Sequence, residues 1–284
     1  MKKLILFGLL GLGLISCEQV IDLDLPETPS QIIINGRVTD TVPVQVQVLA
    51  SADYNNGSVP GISGAKVLLY ENGIRVDSLL ESDTLPGYYY GTFTGFVGGN
   101  YHIDVEVFDG NPLIAAGNWV SKRELLKRCP PIDSFYSEFR PEDILQDEGY
   151  YVAAHFKEPQ GRGDYYRIRA WRNDSLQNMP QDLTFFEDEF SDGLNFGTPP
   201  VPALTIDGPR PVGTTYKLEL GSITEAGFDY LAILQQQTVQ VGSIFDPPPA
   251  SIIGNIHVKG DQSDVALGFF SATKLQFAEA VIVE

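Results

Sequence analysis

The sequence predicts a mainly β protein. An N-terminal immunoglobulin-like or transthyretin-like β-sandwich is followed by a second antiparallel β domain, a sandwich or a partly closed barrel, with one packed helix. Three observations carry this. Short runs such as Val44-Gln45-Val46-Gln47-Val48 alternate strictly between apolar and polar residues, the period of a half-buried strand. Turn signals such as Asn72-Gly73 and Gly98-Gly99-Asn100 separate the runs at short intervals. A helical start signal stands out at Ser222-Ile223-Thr224-Glu225.

In the first unit, residues 31–120, Tyr101 to Val107 alternates with aromatic and aliphatic residues on one face. Ala65 to Tyr70 and Ile74 to Leu80 flank Glu71-Asn72-Gly73, and Asn-Gly supplies the positive φ angles of a tight hairpin. Tyr88 to Thr94 is a further β-rich run, which brings the unit to about seven short strands at sandwich-like spacing. Residues 121–131 change character: Ser121 to Arg128 is locally basic and Pro130-Pro131 stops any helix. They read as a solvated linker. The second unit, 132–284, offers strands at Tyr150–Phe156, Tyr165–Trp171, Thr215–Leu220, Ile252–Val258, Val265–Ala272 and Leu275–Val283. Its helix is expected near 223–240, opened by a capping box in which Ser222 and Glu225 each satisfy a free amide. The segment 181–211, acidic and then proline-rich, reads as a long functional or mobile loop.

The first 16 residues have the form of a secretory signal: Lys2 and Lys3, then the apolar run Leu4 to Ile15. At 1.5 Å per residue that run is about 18 Å long as a helix, short of the roughly 30 Å bilayer core. Leu14-Ile15-Ser16-Cys17 has the form of a bacterial lipobox, so Cys17 is the expected site of lipidation and the membrane anchor. Several acyl chains give stable anchoring where one gives only marginal binding. Residues 17–30, acidic with two prolines, read as the tether. The whole chain carries 19 basic and 37 acidic residues, net −18. Removing residues 1–16 takes Lys2 and Lys3 with it and brings the net to −20. Such a body does not bind nucleic acid through its overall field. Cys129 is the one other cysteine. With Cys17 consumed by lipid no intrachain disulfide is expected, and Cys129 reads as a buried thiol.

No catalytic constellation emerges. His102, His155 and His257 are far apart in sequence and have no metal-ligand spacing. Gly61-Ile62-Ser63-Gly64 lacks the spacing of a nucleophile elbow. Glu187-Asp188-Glu189 with Asp192-Gly193 has the oxygen ligands calcium wants but not the helix-loop-helix calcium pattern, so it reads as a charged loop. No metal and no cofactor is expected. Aromatic residues offer more. In Tyr165–Trp171, Tyr166, Ile168 and Ala170 share one face, and Tyr165, Arg167, Arg169 and Trp171 share the other. An aromatic-basic face is unusual on an acidic protein, and it is the candidate ligand or partner face. The tyrosine run Tyr88-Tyr89-Tyr90 reads as alternating core and surface rings.

Several segments in order carry a family resemblance. They are Val20-Ile21-Asp22-Leu23-Asp24-Leu25-Pro26 after Cys17, Ile33-Ile34-Asn35-Gly36, Val59 to Val67, and Gly98 to Tyr101. The second half adds Pro131-Ile132-Asp133-Ser134, Tyr230 to Leu234 and Gly268-Phe269-Phe270-Ser271-Ala272. With the lipobox, this set resembles the Bacteroidota lipoproteins catalogued as domain of unknown function 4249. The resemblance implies an outer-membrane, lipid-anchored protein, often encoded beside TonB-dependent transporters, with no established catalytic residues. The expected function is therefore that of a non-enzymatic accessory or substrate-binding partner of such a transporter barrel. The alternatives are a structural or adhesive envelope lipoprotein and, last, a hydrolase. Glu18 followed by Gln19 and Val20 departs from a compact acidic run after the cysteine, so the side of the outer membrane is left open.

Overall fold

A computed structural model describes residues 30–52, 59–144, 146–198, 202–239 and 252–284. Within them the protein is mainly β with a single α-helix. None of its described helices is long and apolar enough to cross a membrane. The first eight strands are β1 (Ile32–Thr39), β2 (Gln45–Ala50), β3 (Lys66–Glu71), β4 (Ile74–Glu81), β5 (Tyr88–Tyr90), β6 (Asn100–Val107), β7 (Gly117–Ser121) and β8 (Glu124–Leu125). The alternation sorts their side chains as the period of 2 requires. Tyr101, Ile103, Val105 and Val107 of β6 are buried with Val46 and Val48 of β2 and Ile32 and Ile34 of β1. His102, on the other face of β6, stacks on Tyr70 at 4.8 Å. Asn72 and Gly73 have φ of 49° and 86° and close the β3–β4 hairpin, the positive pair that a two-residue turn needs. Of the tyrosine run, Tyr89 is in the core, where its hydroxyl donates to the Ile62 carbonyl (2.7 Å) and accepts from the Ala65 amide (2.9 Å).

The next strands are β9 (Ser134–Arg140), β10 (Gly149–Lys157), β11 (Tyr165–Arg172), β12 (Ser175–Leu176), β13 (Thr184–Glu187), β14 (Asn195–Phe196), β15 (Leu204–Thr205) and β16 (Thr215–Ile223). Helix α1 (Glu225–Thr238) follows, then β17 (Ile253–Val258), β18 (Asp261–Leu267), β19 (Phe270–Thr273) and β20 (Leu275–Val281). Two small sheets pair these strands: β14-β10-β15 with β9 on β10, and β12-β11-β16-β20 with β13 on β11. They share apolar cores, in which Ala154 and Val152 of β10 meet Ile168 of β11 and Tyr216, Leu218 and Leu220 of β16. The segment expected to be a long loop supplies β13, β14 and β15, edge strands of both sheets.

The sequence boundary near 121–131 does not divide the sheets. Strands β17, β18 and β19, from the last quarter of the chain, belong to the first sheet, ordered β18-β17-β7-β6-β3-β4-β5-β2-β1-β19 with β8 on β6. The β1–β19 pair is parallel, from Gly36 opposite Phe270 to Thr39 opposite Thr273. Because β18 also touches β1 at Leu267 and Ile33, the sheet is ring-like without being a closed barrel. Nor is 121–131 a solvated linker. Leu126 is buried in the first core and Cys129 in the second, and Ser222 Oγ donates to the Lys127 carbonyl. Helix α1 begins two residues later than the capping box suggests. Ser222 is still in β16, and Thr224 is the N-cap, its Oγ1 accepting from the Gly227 amide.

Candidate ligand-binding face

Strand β11 splits its side chains as its alternation demands. Tyr166 and Ile168 enter the core, while Tyr165, Arg167, Arg169 and Trp171 occupy the opposite face. The register on β16 sets Glu219 beside Arg169, Lys217 beside Trp171 and Gly221 beside Arg167. Gly221 is needed there, because a Cβ would stand 2.6 Å from the Thr273 side chain. That close approach of β19 to β16 brings the ring-like sheet against this face, and with it Arg37 of β1.

The result is a cluster of three arginines around one carboxylate. Glu219, with a side chain only 6% exposed, accepts on Oε1 from Arg37 (3.1 Å) and from Arg169 (3.3 Å). Arg167 has no hydrogen-bond or ion-pair partner among the described residues, and its Nε is closed off from solvent. Burial, reinforced by repulsion from Arg169, pushes the Arg167 guanidinium down to about 10, against the pull of Glu219. Burial also lowers Arg37, with Glu219 acting the other way. Tyr230 of α1 is close enough to Arg167 to feel its charge; its hydroxyl is raised by burial and held back by that charge. The Tyr230 ring stacks on Phe269 at 5.0 Å, which fixes the helix over this end of the face.

The other end is an aromatic-basic strip. Arg169 lies 5.1 Å and Lys217 5.8 Å from the Trp171 ring, and Lys217 is 5.3 Å from Phe277. Cations over ring faces are attracted by the ring quadrupole. A cleft of about 270 Å³ opens beside Trp171, between Lys217, Thr215, Asp174 and Glu279. Tyr165 is not part of this strip: its ring packs on Phe228 of α1 at 5.3 Å, with Lys127 Nζ over it. The structure thus gathers Arg167, Arg169 and Trp171 and assigns Tyr165 to the helix contact. Sequence reasoning missed Arg37, Glu219, Lys217 and Tyr230. Arg37 was marked only by being a lone charge in an apolar strand, and nothing local pointed it at β11.

A part-buried guanidinium surplus is suited to an anion. Its planar fork of donors matches carboxylate or phosphate oxygens. The histidines are scattered over different elements: His102 on Tyr70, His155 bonded to the Tyr136 hydroxyl at 2.7 Å, His257 on β17. The Cys129 thiol is buried and pushed up to about 12. Cys17 and the acidic leader lie outside the described residues. Asp188 and Asp192 of the acidic loop come together with Glu158.

A family model described as Domain of unknown function (DUF4249) matches residues 18–276. The chain belongs to that family. The match takes in both halves of this DUF4249 protein, including Arg37, the β11 face and α1. The comparison with curated proteins gave no match. The family's description assigns no activity, so the chemistry of the face rests on its own residues.

Proposed function

We propose that this DUF4249 protein is a lipid-anchored, non-enzymatic outer-membrane protein that serves a TonB-dependent transporter as an accessory or substrate-binding partner. It holds an anionic group of its ligand against Arg167 and Arg169. The observation that carries the reading is Arg167: a guanidinium without a partner, beside two more arginines that share the single carboxylate of Glu219. An unpaired, half-buried charge is costly to keep, and a ligand anion would offset that cost. The strip from Trp171 to Phe277 supplies flat apolar surface next to the charge, the composition of a recognition site. The lipobox at Cys17 supplies the anchor, and the net acidity speaks against nucleic acid.

The test is a mild-detergent pull-down of the tagged chain from native envelopes, with mass spectrometry of what accompanies it. A TonB-dependent barrel in stoichiometric amount is the expected result, and an anionic ligand recovered with it should be lost in Arg167→Met and Arg169→Met. Recovery of the protein alone, or with peptidoglycan or matrix components, would move the reading to a structural or adhesive role. Metabolic labelling with an alkyne fatty acid tests the anchor: label and membrane fraction should both vanish in Cys17→Ala.

A further inference from the structure

Away from the arginine face, two loops of the second half bring buried carboxylates together. The first loop, 158–164, joins β10 to β11; the second, 188–194, joins β13 to β14. Glu158 is fully buried and Asp188 is 3% exposed. With Asp192 they offer oxygens that all lie within 4.8 Å of one another. Each carboxylate is held by one backbone amide from the opposite loop: Gly193 to Glu158 Oε2 (2.7 Å), Gly163 to Asp188 Oδ1 (2.9 Å) and Gly161 to Asp192 Oδ1 (2.7 Å). The glycines have φ of 71°, 99° and 113°, conformations that aim those amides and that L side chains rarely adopt.

These bonds leave acceptor capacity unused at the centre. Asp188 Oδ2 is buried and has no hydrogen-bond partner. No ion pair reaches Glu158, Asp188 or Asp192 among the described residues; the nearby cation, Arg128, pairs with Asp164 at 3.3 Å instead. Glu158 and Asp188 are buried, and buried charges are paired or coordinate metals.

We infer that Glu158, Asp188 and Asp192 form a calcium site that clamps the 158–164 loop to the 188–194 loop. The ligand set is all oxygen, as a hard cation requires. Oxygens that all lie within 4.8 Å of one another can share one cation. An irregular, part-open set of protein carboxylates suits Ca²⁺, whereas Mg²⁺ demands near-ideal octahedral geometry and keeps several of its waters. Water completes the coordination on the side of Asp192, which is only half-buried. The clamp sits at the start of β11, since Asp164 immediately precedes Tyr165, so it would also steady the strand that carries the arginines. The inference does not depend on the proposed function.

Terbium reports such a site directly, because Tyr166 donates its hydroxyl to Glu158 Oε1 at 3.0 Å and can sensitise a lanthanide bound there. The full chain is stripped with a chelator and titrated with Tb³⁺, then with Ca²⁺ and Mg²⁺ as competitors. Terbium emission should saturate at one equivalent. Ca²⁺ should displace it, and Mg²⁺ should need at least about tenfold more. Ca²⁺ at a hundredfold excess over its Kd should raise Tm by roughly 5–10 °C. Asp188→Asn keeps the acceptor for the Gly163 amide but loses the charge, and should weaken binding at least about tenfold. Its circular dichroism should match that of the parent. Unsaturable emission, an unmoved Tm in millimolar Ca²⁺, or undiminished binding by Asp188→Asn would overturn the site. So would stabilisation by mild acid alone.

Discussion

Asn255 and Glu124, 131 residues apart, are hydrogen-bonded in the interior, Nδ2 to Oε1 at 2.9 Å. Glu124 also accepts from the hydroxyl of Thr224, the N-cap of α1, while Asn255 holds both the amide and the carbonyl of Phe270. One buried carboxylate thus joins β8, β17 and the helix. Burial raises its pKa above the ordinary range of a glutamate, with the two hydrogen bonds opposing. A carboxyl raised on folding adds stability that is fully present below its unfolded pKa and fades as pH rises through the folded one. Glu124→Gln should therefore flatten the fall in Tm between about pH 4.5 and neutrality. Near neutrality the variant should equal or exceed the parent. Glu124→Ala leaves the Thr224 hydroxyl without its acceptor and should cost about 1–3 kcal/mol. Thermal melts across pH decide; a Gln variant with the parent's slope would remove Glu124 from the account.

The arginine cluster predicts opposite signs for two neighbouring changes. Arg167→Met removes a charge that has no partner among the described residues and keeps the packing volume. It should be neutral or stabilising by about 1 kcal/mol, in line with replacement of poorly compensated buried charge by apolar groups. Glu219→Gln leaves Arg37 and Arg169 without their shared carboxylate. Removing one partner of a buried pair costs about 3–5 kcal/mol, and solvent at the arginines reduces this to about 2 kcal/mol. Urea denaturation of both variants is the measurement. A clear loss of stability in Arg167→Met would show that the residue holds the fold rather than awaiting a ligand.

Cys129 should be inert in the folded chain. Its Sγ donates to the Leu220 carbonyl at 3.6 Å, and burial pushes the thiol up to about 12. At pH 8 the thiolate fraction is then on the order of one in ten thousand, and the thiolate is the reactive form. In a Cys17→Ala chain Cys129 is the sole thiol. It should resist a disulfide reagent natively and react stoichiometrically in denaturant. Rapid native labelling would mean that the junction between the two cores opens.

What was legible in the sequence was local. The alternation of Tyr101 to Val107, the Asn72-Gly73 turn and the two faces of β11 each depend on a few adjacent residues, and each stands in the structure as read. The pairing of β1 with β19 was not legible, because parallel partners more than 230 residues apart leave no periodic trace in either strand. The helix start slipped because Ser222 and Thr224 are both competent caps, and the extension of β16 through Ile223 decided between them. The acidic cluster failed as a motif for a similar reason. Glu158 is followed by Pro159 and lies 30 residues before Asp188, so only the crossing of two loops brings them together.

That long-range closure makes its own prediction at Gly254. A Cβ there would lie 1.6 Å from the Gly268 carbonyl oxygen, and a Cβ on Gly268 would lie 2.2 Å from the Ile34 carbonyl oxygen. The turn between β18 and β19 is therefore pressed between β17 and β1, backbone on backbone. Gly254 itself does not have a positive φ, so the demand is for space. Gly110 is the converse, with φ of 90° and nothing within 4 Å of the added carbon. Gly110→Ala should cost about 1 kcal/mol, the price of the left-handed backbone alone. Gly254→Ala must separate two backbones that also carry the Asn255 bonds to Phe270, and should cost more than about 3 kcal/mol. Denaturant melts of the pair compare the two costs directly. Equal effects would mean that β17 and the β18–β19 turn give way freely, and that the ring-like sheet is not held where its strands meet.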